Sequence, residues 1–150
     1  MKKWKKILIA IVILLAILGA FAYYTLTSAA KLTEYDFGSD KIPSINAIIG
    51  VERNVTKVGS GISTNNGQYK EYAYESSSVR DDLSVYSTHL RNNGWKVTKS
   101  YDLSVGKGEM QLATESAEKG KILLMSVVFE LDNYTINIRK LEGTLTKQQP

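Results

Sequence analysis

The sequence has no cysteine, one histidine and two prolines in 150 residues. Without cysteine the chain forms no disulfide and no thiolate zinc site, and it has no cysteine nucleophile or lipid-modified N-terminal Cys. A single histidine, His89, excludes a His-rich metal site and a pair of catalytic imidazoles. Two prolines and eleven glycines exclude collagen-like and proline-rich classes. What is present is ordinary for a folded protein: 43% hydrophobic and 23% charged residues.

The excess of positive charge sits in one place. The net charge is +4, and Lys2, Lys3, Lys5 and Lys6 supply all of it. Residues 31–150 carry fifteen basic and fifteen acidic side chains, so they sum to zero. A nucleic-acid binder carries its excess on the folded domain, so this distribution excludes nucleic acid as the expected partner.

A long apolar run follows the lysines. Ile7 to Ala22 is apolar throughout, Tyr23 to Leu26 extends it, and no charge falls between Lys6 and Lys31. At ~1.5 Å per residue, residues 7–26 span about 30 Å, the thickness of a bilayer core. Trp4, Tyr23 and Tyr24 flank the run, where amphipathic rings favour the membrane interface. The lysines place the N-terminus in the cytoplasm and the C-terminus outside. Two readings of the run stand side by side. It is a signal-anchor helix that holds the chain in the cell membrane, or a signal peptide cleaved after the small residues Ser28-Ala29-Ala30, near Ala30, releasing a secreted domain. The length of the run and the distance to the cleavage motif favour the anchor. The expected organisation is a cytoplasmic basic tip (1–6), a transmembrane helix (7–26), a juxtamembrane linker (27–42), an extracytoplasmic domain (43–145) and a polar tail (146–150).

The exported part reads as α+β. Ile45 to Val58 is rich in Ile and Val and reads as extended, with Gly50 as a bend. Gly59-Ser-Gly61 and Asn65-Asn-Gly67 have turn chemistry. Tyr69 to Glu75 reads as a strand. A helix is predicted over 79–93, because Val79, Leu83, Tyr86 and Leu90 form one apolar stripe and Gly94 follows as terminator. Ser78 fits an N-cap, with Asp81 and Asp82 in the first turn suiting capping and the helix dipole. From Trp95 the period switches to two. Trp95 to Tyr101, the Met110–Leu112 region, Lys121 to Leu131 and Tyr134 to Arg139 read as strands separated by Gly106-Lys-Gly108, Glu118-Lys-Gly120 and Asp132-Asn133. The near-continuous apolar run around Leu124 and Val128 predicts a strand covered on both faces, or a face used for association. The order ββαββββ, about six mostly antiparallel strands with one amphipathic helix on one face, is a two-layer domain.

No catalytic constellation is legible. His89 lies off the apolar stripe and reads as a surface residue. The glycine pairs lack the following helix that a phosphate loop needs. Asp102, Glu109, Glu115 and Glu118 read as a solvated rim. No catalytic residue, cofactor or metal site is nominated.

Nine tyrosines are many for this length. Tyr69, Tyr72, Tyr74, Tyr101 and Tyr134 fall on predicted strands and are the candidate partner-binding aromatics, able to stack a sugar or anchor a protein if exposed. The competing reading packs Trp95, Tyr72, Tyr74 and Tyr86 between sheet and helix as core.

The stretch Tyr72-Ala-Tyr-Glu-Ser-Ser-Ser-Val-Arg-Asp-Asp-Leu-Ser-Val-Tyr86, followed by Leu90-Arg-Asn-Asn-Gly-Trp95 and further strands, resembles small exported α+β domains of single-membrane bacteria. Those are carried by an N-terminal anchor or a lipidated cysteine, and only the anchor applies to a chain without cysteine. The resemblance spans residues 43–140 and implies no activity. The expectation is a membrane-anchored, non-enzymatic module of the bacterial cell envelope. Its partners are the lipid bilayer through residues 7–26 and an envelope protein or polysaccharide. A wall-associated carbohydrate-binding domain and a carboxylate-based envelope hydrolase are the alternatives.

Overall fold

The structure, a computed structural model, describes residues 2–63 and 67–145. Asn65 and Asn66 of the expected hairpin motif, and residues 146–150 of the expected tail, lie outside the described residues.

The apolar run is a single helix, α1 (Lys2–Ala30), long and apolar enough to cross a membrane. Its side chains from Lys3 through Tyr24 are exposed, and its last turn enters the folded domain. A short hairpin follows, β1 (Glu34–Phe37) and β2 (Asp40–Pro43), turning at Gly38-Ser39. The expected linker over 27–42 is therefore a helix end plus a hairpin. Tyr35, Phe37 and Ile42 are buried, while Lys41 pairs with Glu34 and Asp36 on the exposed side. This is a period-two pattern only four residues long.

The next correction lies at Ile45 to Val58. Residues Ile45–Ile49 form a short helix, α2, rather than a strand. The Ser44 hydroxyl accepts from the Ala47 N–H at 3.2 Å and caps its start. Gly50, at φ 69°, closes it in the left-handed region that favours glycine. Local capping thus overrides the β propensity of the isoleucines.

β3 (Asn54–Ile62) and β4 (Gln68–Glu75) pair antiparallel. Gly59-Ser-Gly61 lies inside β3 and is not a turn. α3 (Val79–Asn92) matches the predicted helix, and Val79, Leu83, Tyr86 and Leu90 are all buried. Such burial contributes roughly 2 kcal/mol per large apolar side chain. Gly94, at φ 91°, turns the chain out. Trp95 lies before β5 (Lys96–Lys99) rather than within a strand, and its indole is buried while β5 itself is exposed. A 3-10 turn at Leu103–Val105 leads to β6 (Gly108–Glu115), β7 (Lys121–Phe129) and β8 (Asn133–Glu142).

The six long-range strands form one antiparallel sheet in the order β3-β4-β8-β7-β6-β5. α3 carries the chain from β4 to the far edge strand β5. One face of the sheet bears Tyr72, Tyr74, Met110, Leu112, Met125, Val127, Ile136 and Ile138, all buried in one core with α3, the β1–β2 hairpin and the end of α1. The other face is open. There Leu124 is half-buried and Val128 exposed, so β7 is covered on one face only. The fold is α+β with two layers, as the residue pattern implied.

Candidate functional site

Three of the five candidate tyrosines are core and not surface. Tyr72 stacks on Tyr35 at 4.7 Å between ring centres, and Tyr74 on Tyr134 at 5.4 Å. The register explains this. Tyr74 pairs with Tyr134 and Tyr72 with Ile136, so all four share the inner face, where the β1–β2 hairpin lies over them. The hydroxyls of Tyr35 and Tyr74 are 2.7 Å apart, and the Ile45 N–H donates to Tyr35 at 3.3 Å. Burial pushes the Tyr35 phenol well above its ordinary value and Tyr74 to about 12, so both stay neutral. Tyr86 is also buried and donates to the Pro43 carbonyl at 2.9 Å. Of the five candidates, Tyr69 and Tyr101 reach the surface, both half-buried. Tyr69 is on β4, second in the sheet, and Tyr101 follows β5, the sixth strand. The structure does not bring them together into one platform.

A groove of about 630 Å³ lies at the end of the sheet, lined by Glu52, Arg53, Asn54, Glu75, Ser77 and Asp132 among others. Its floor rests on a partly buried ion pair, with Asp82 buried and Arg53 partly exposed. Arg53 Nε and Nη2 each donate at 2.8 Å to the carboxylate of Asp82, a bidentate geometry. Asp82 was expected to serve the helix start. It instead turns inward from α3, where the Ser76 hydroxyl donates to it at 2.6 Å and the Tyr134 hydroxyl at 3.4 Å. Ser78 makes no side-chain cap, and Ser76 takes over by accepting from the Ser78 N–H at 2.9 Å. Asp81 is exposed on the first turn. Around the rim, Asn54 donates to Glu75 and Asn133 to Asp132. The groove offers hydrogen bonds and charge. The Ser76 hydroxyl donates to a carboxylate that Arg53 also holds.

A second polar cluster clamps the hairpin to the sheet. Lys140 Nζ is buried, 2.9 Å from Asp40 Oδ2 and 2.8 Å from Glu118 Oε2. It also donates to Ser39 Oγ and to the Phe37 carbonyl. Asp40 in turn accepts from the Ser116 hydroxyl at 2.6 Å and the Ala117 N–H at 2.7 Å. Burial pushes the Asp40 carboxyl up, but these two donors and Lys140 outweigh it and hold it below the usual value. Lys121 and then Lys140 lower Glu118. For Lys140, burial pulls down while Glu118 and Asp40 raise it further, with a net rise. Sequence reasoning missed this cluster. The only signal was that Lys140 continues the inward phase of Tyr134, Ile136 and Ile138.

On the open face, Lys57 pairs with Glu71 and Lys99 with Glu109. Lys99, Ser126 and Gln111 hold Glu109 down to about 2. These are exposed pairs that contribute little to stability. His89 is half-buried near the end of α3, within reach of Asn93. Among the described residues, no group of three or more His, Asp or Glu side chains is arranged to hold a metal ion.

The joint between α1 and the domain is built in detail. Ala29 and Ala30 are 6% and 7% exposed, Leu26 packs on the core, and the helix end lies against β3. A helix leaves its last four carbonyls without partners. Here Lys31 N–H donates to Ser28 O, Leu32 N–H to Ala29 O, and Asn46 Nδ2 to Ala30 O at 2.9 Å. The same Asn46 amide donates to the Arg53 carbonyl at 3.2 Å, and the Ser44 hydroxyl to the Leu32 carbonyl at 2.5 Å.

The chain matches no family of known proteins, no curated protein and no solved structure at a significant level.

Proposed function

We propose that this chain is a single-span membrane module of the cell envelope. Its N-terminus is cytoplasmic, its α+β domain is outside, and it binds a protein or polysaccharide partner without catalysing a reaction. The observation that carries this reading is the burial of Ala29 and Ala30. The residues that would form a cleavage motif are the last turn of a helix and part of the domain core. Cleavage there would expose core surface and remove the Ala30 carbonyl held by Asn46, which favours an anchor that stays. The lysines ahead of the span support the orientation.

The non-enzymatic part of the proposal rests on how the buried polar groups are engaged. Asp82, Arg53, Asp40 and Lys140 each tie one element to another, and Ser76 donates into the first of these pairs. The surface left for a partner is the open sheet face, the β3 edge and the polar groove. The other edge, β5, is short, kinked by a register shift and flanked by Lys96 and Lys99, features that discourage strand addition.

Single-cysteine labelling tests the topology, because the chain has no native cysteine. Val128→Cys, on the open face, should react with a charged maleimide in intact cells, and Lys5→Cys only after permeabilisation. Labelling of Val128→Cys only after permeabilisation contradicts the reading.

A further inference from the structure

We propose that α1 and the domain move as one rigid body, so that the height and orientation of the sheet over the membrane are fixed and any tilt or rotation of the helix reaches the sheet without slack. The proposal rests on the anchor reading above. A flexible linker over the sixteen residues 27–42 would let the domain wander by about 20–24 Å r.m.s.. The structure leaves no such segment. The helix runs unbroken from the apolar span into the core, where Leu26, Ala29 and Ala30 pack. Its end is capped from α2 by Asn46, and the connector at Leu32 and Thr33 is bonded to Ser44 by side chain and main chain. The hairpin that follows is locked in turn. Tyr35 bonds Tyr74 of β4 at one end, and Asp40 bonds Lys140 of β8 at the other. A displacement of α1 therefore has three independent routes into the sheet: direct packing on β3, the Asn46 bridge to the residue preceding β3, and the hairpin. A hinge would need at least one residue between Leu26 and Pro43 free of packing and bonding on both sides, and the connector from Lys31 to Thr33 is too short and too well bonded to act as one.

The test is a pulsed electron–electron distance measurement on the full chain in lipid nanodiscs, with nitroxides at Tyr24→Cys and Val128→Cys. Both positions are exposed, at 70% and 54%, and lie outside the joint. The labelled chain is diluted with unlabelled chain so that only intramolecular distances are read. The proposal predicts one narrow distance distribution. Insertion of four glycines after Lys31 should broaden it about twofold or more. A broad distribution in the chain without the insertion overturns the proposal. Failure of the anchor reading shows separately, as mature protein lacking the first thirty residues by mass, and is not confused with a wide distribution.

Discussion

The hydroxyls of Tyr35 and Tyr74 meet at 2.7 Å inside the core, joining the hairpin that follows α1 to the second strand of the sheet. The two phenols are not equivalent, because only Tyr35 also accepts from the Ile45 N–H. Tyr35→Phe strands both the Tyr74 hydroxyl and a buried backbone donor, whereas Tyr74→Phe leaves the Tyr35 oxygen paired with Ile45. The expected costs are about 2 kcal/mol for Tyr35→Phe and less than about 1 kcal/mol for Tyr74→Phe, read by denaturation of the full chain in detergent micelles. Equal costs would show that the Ile45 bond contributes nothing.

Buried Asp82 and partly exposed Arg53 form the pair beneath the groove. Removing one partner leaves an uncompensated charge, so Asp82→Ala should destabilise by about 3 kcal/mol or more. Arg53→Met should do likewise. The double variant Arg53→Met with Asp82→Leu should cost less than the sum of the two, because no charge is then stranded. A strictly additive double-mutant cycle would mean that the pair is not coupled.

The clamp at Lys140 makes a signed prediction about pH. Asp40 and Glu118 have lowered values in the folded state, so their contribution is present above their ordinary values of 3.8 and 4.5 and is lost as pH falls through the lowered ones. Lys140 is raised, so its contribution is full below 10.5 and is lost as pH rises through the raised value. The clamp therefore stabilises across the whole neutral range, and its loss begins only below the usual carboxylate range or above that of lysine. Lys140→Met should cost about 3 kcal/mol at pH 7. That cost should shrink toward acid pH, as the wild-type clamp is itself released. Melting curves from pH 2 to 8 read both effects. A cost that stays constant with pH down to 2 would assign Lys140 a packing role alone.

Legibility in the sequence followed length and locality. α3 was readable because its stripe, from Val79 to Leu90, repeats over three turns and ends at Gly94. β8 was readable from the alternation of Tyr134, Ile136 and Ile138. The β1–β2 hairpin was not, because four-residue strands give two inward positions each, too few to distinguish from a linker. α2 was misread because Ile-rich composition outweighed a cap at Ser44 and a glycine stop at Gly50. The polar clusters were invisible for a different reason. Arg53 and Asp82 are 29 positions apart, and Lys140 and Asp40 are 100 apart, so only the folded sheet brings them together. Tyr69, Tyr72, Tyr74 and Tyr134 are legible as strand residues but not as inside or outside, and Tyr101, expected on a strand, falls just past β5. Their face depends on the register with β8 and on the β1–β2 hairpin, neither of which is local in sequence.

On the anchor reading we propose, the N-terminal helix remains part of the mature protein. The most direct test is the intact mass and N-terminal sequence of the protein recovered from fractionated cells. An anchored protein begins at Met1 or Lys2 and is found in the membrane fraction. A chain that begins at or near Lys31 and is released from the membrane would contradict the anchor reading.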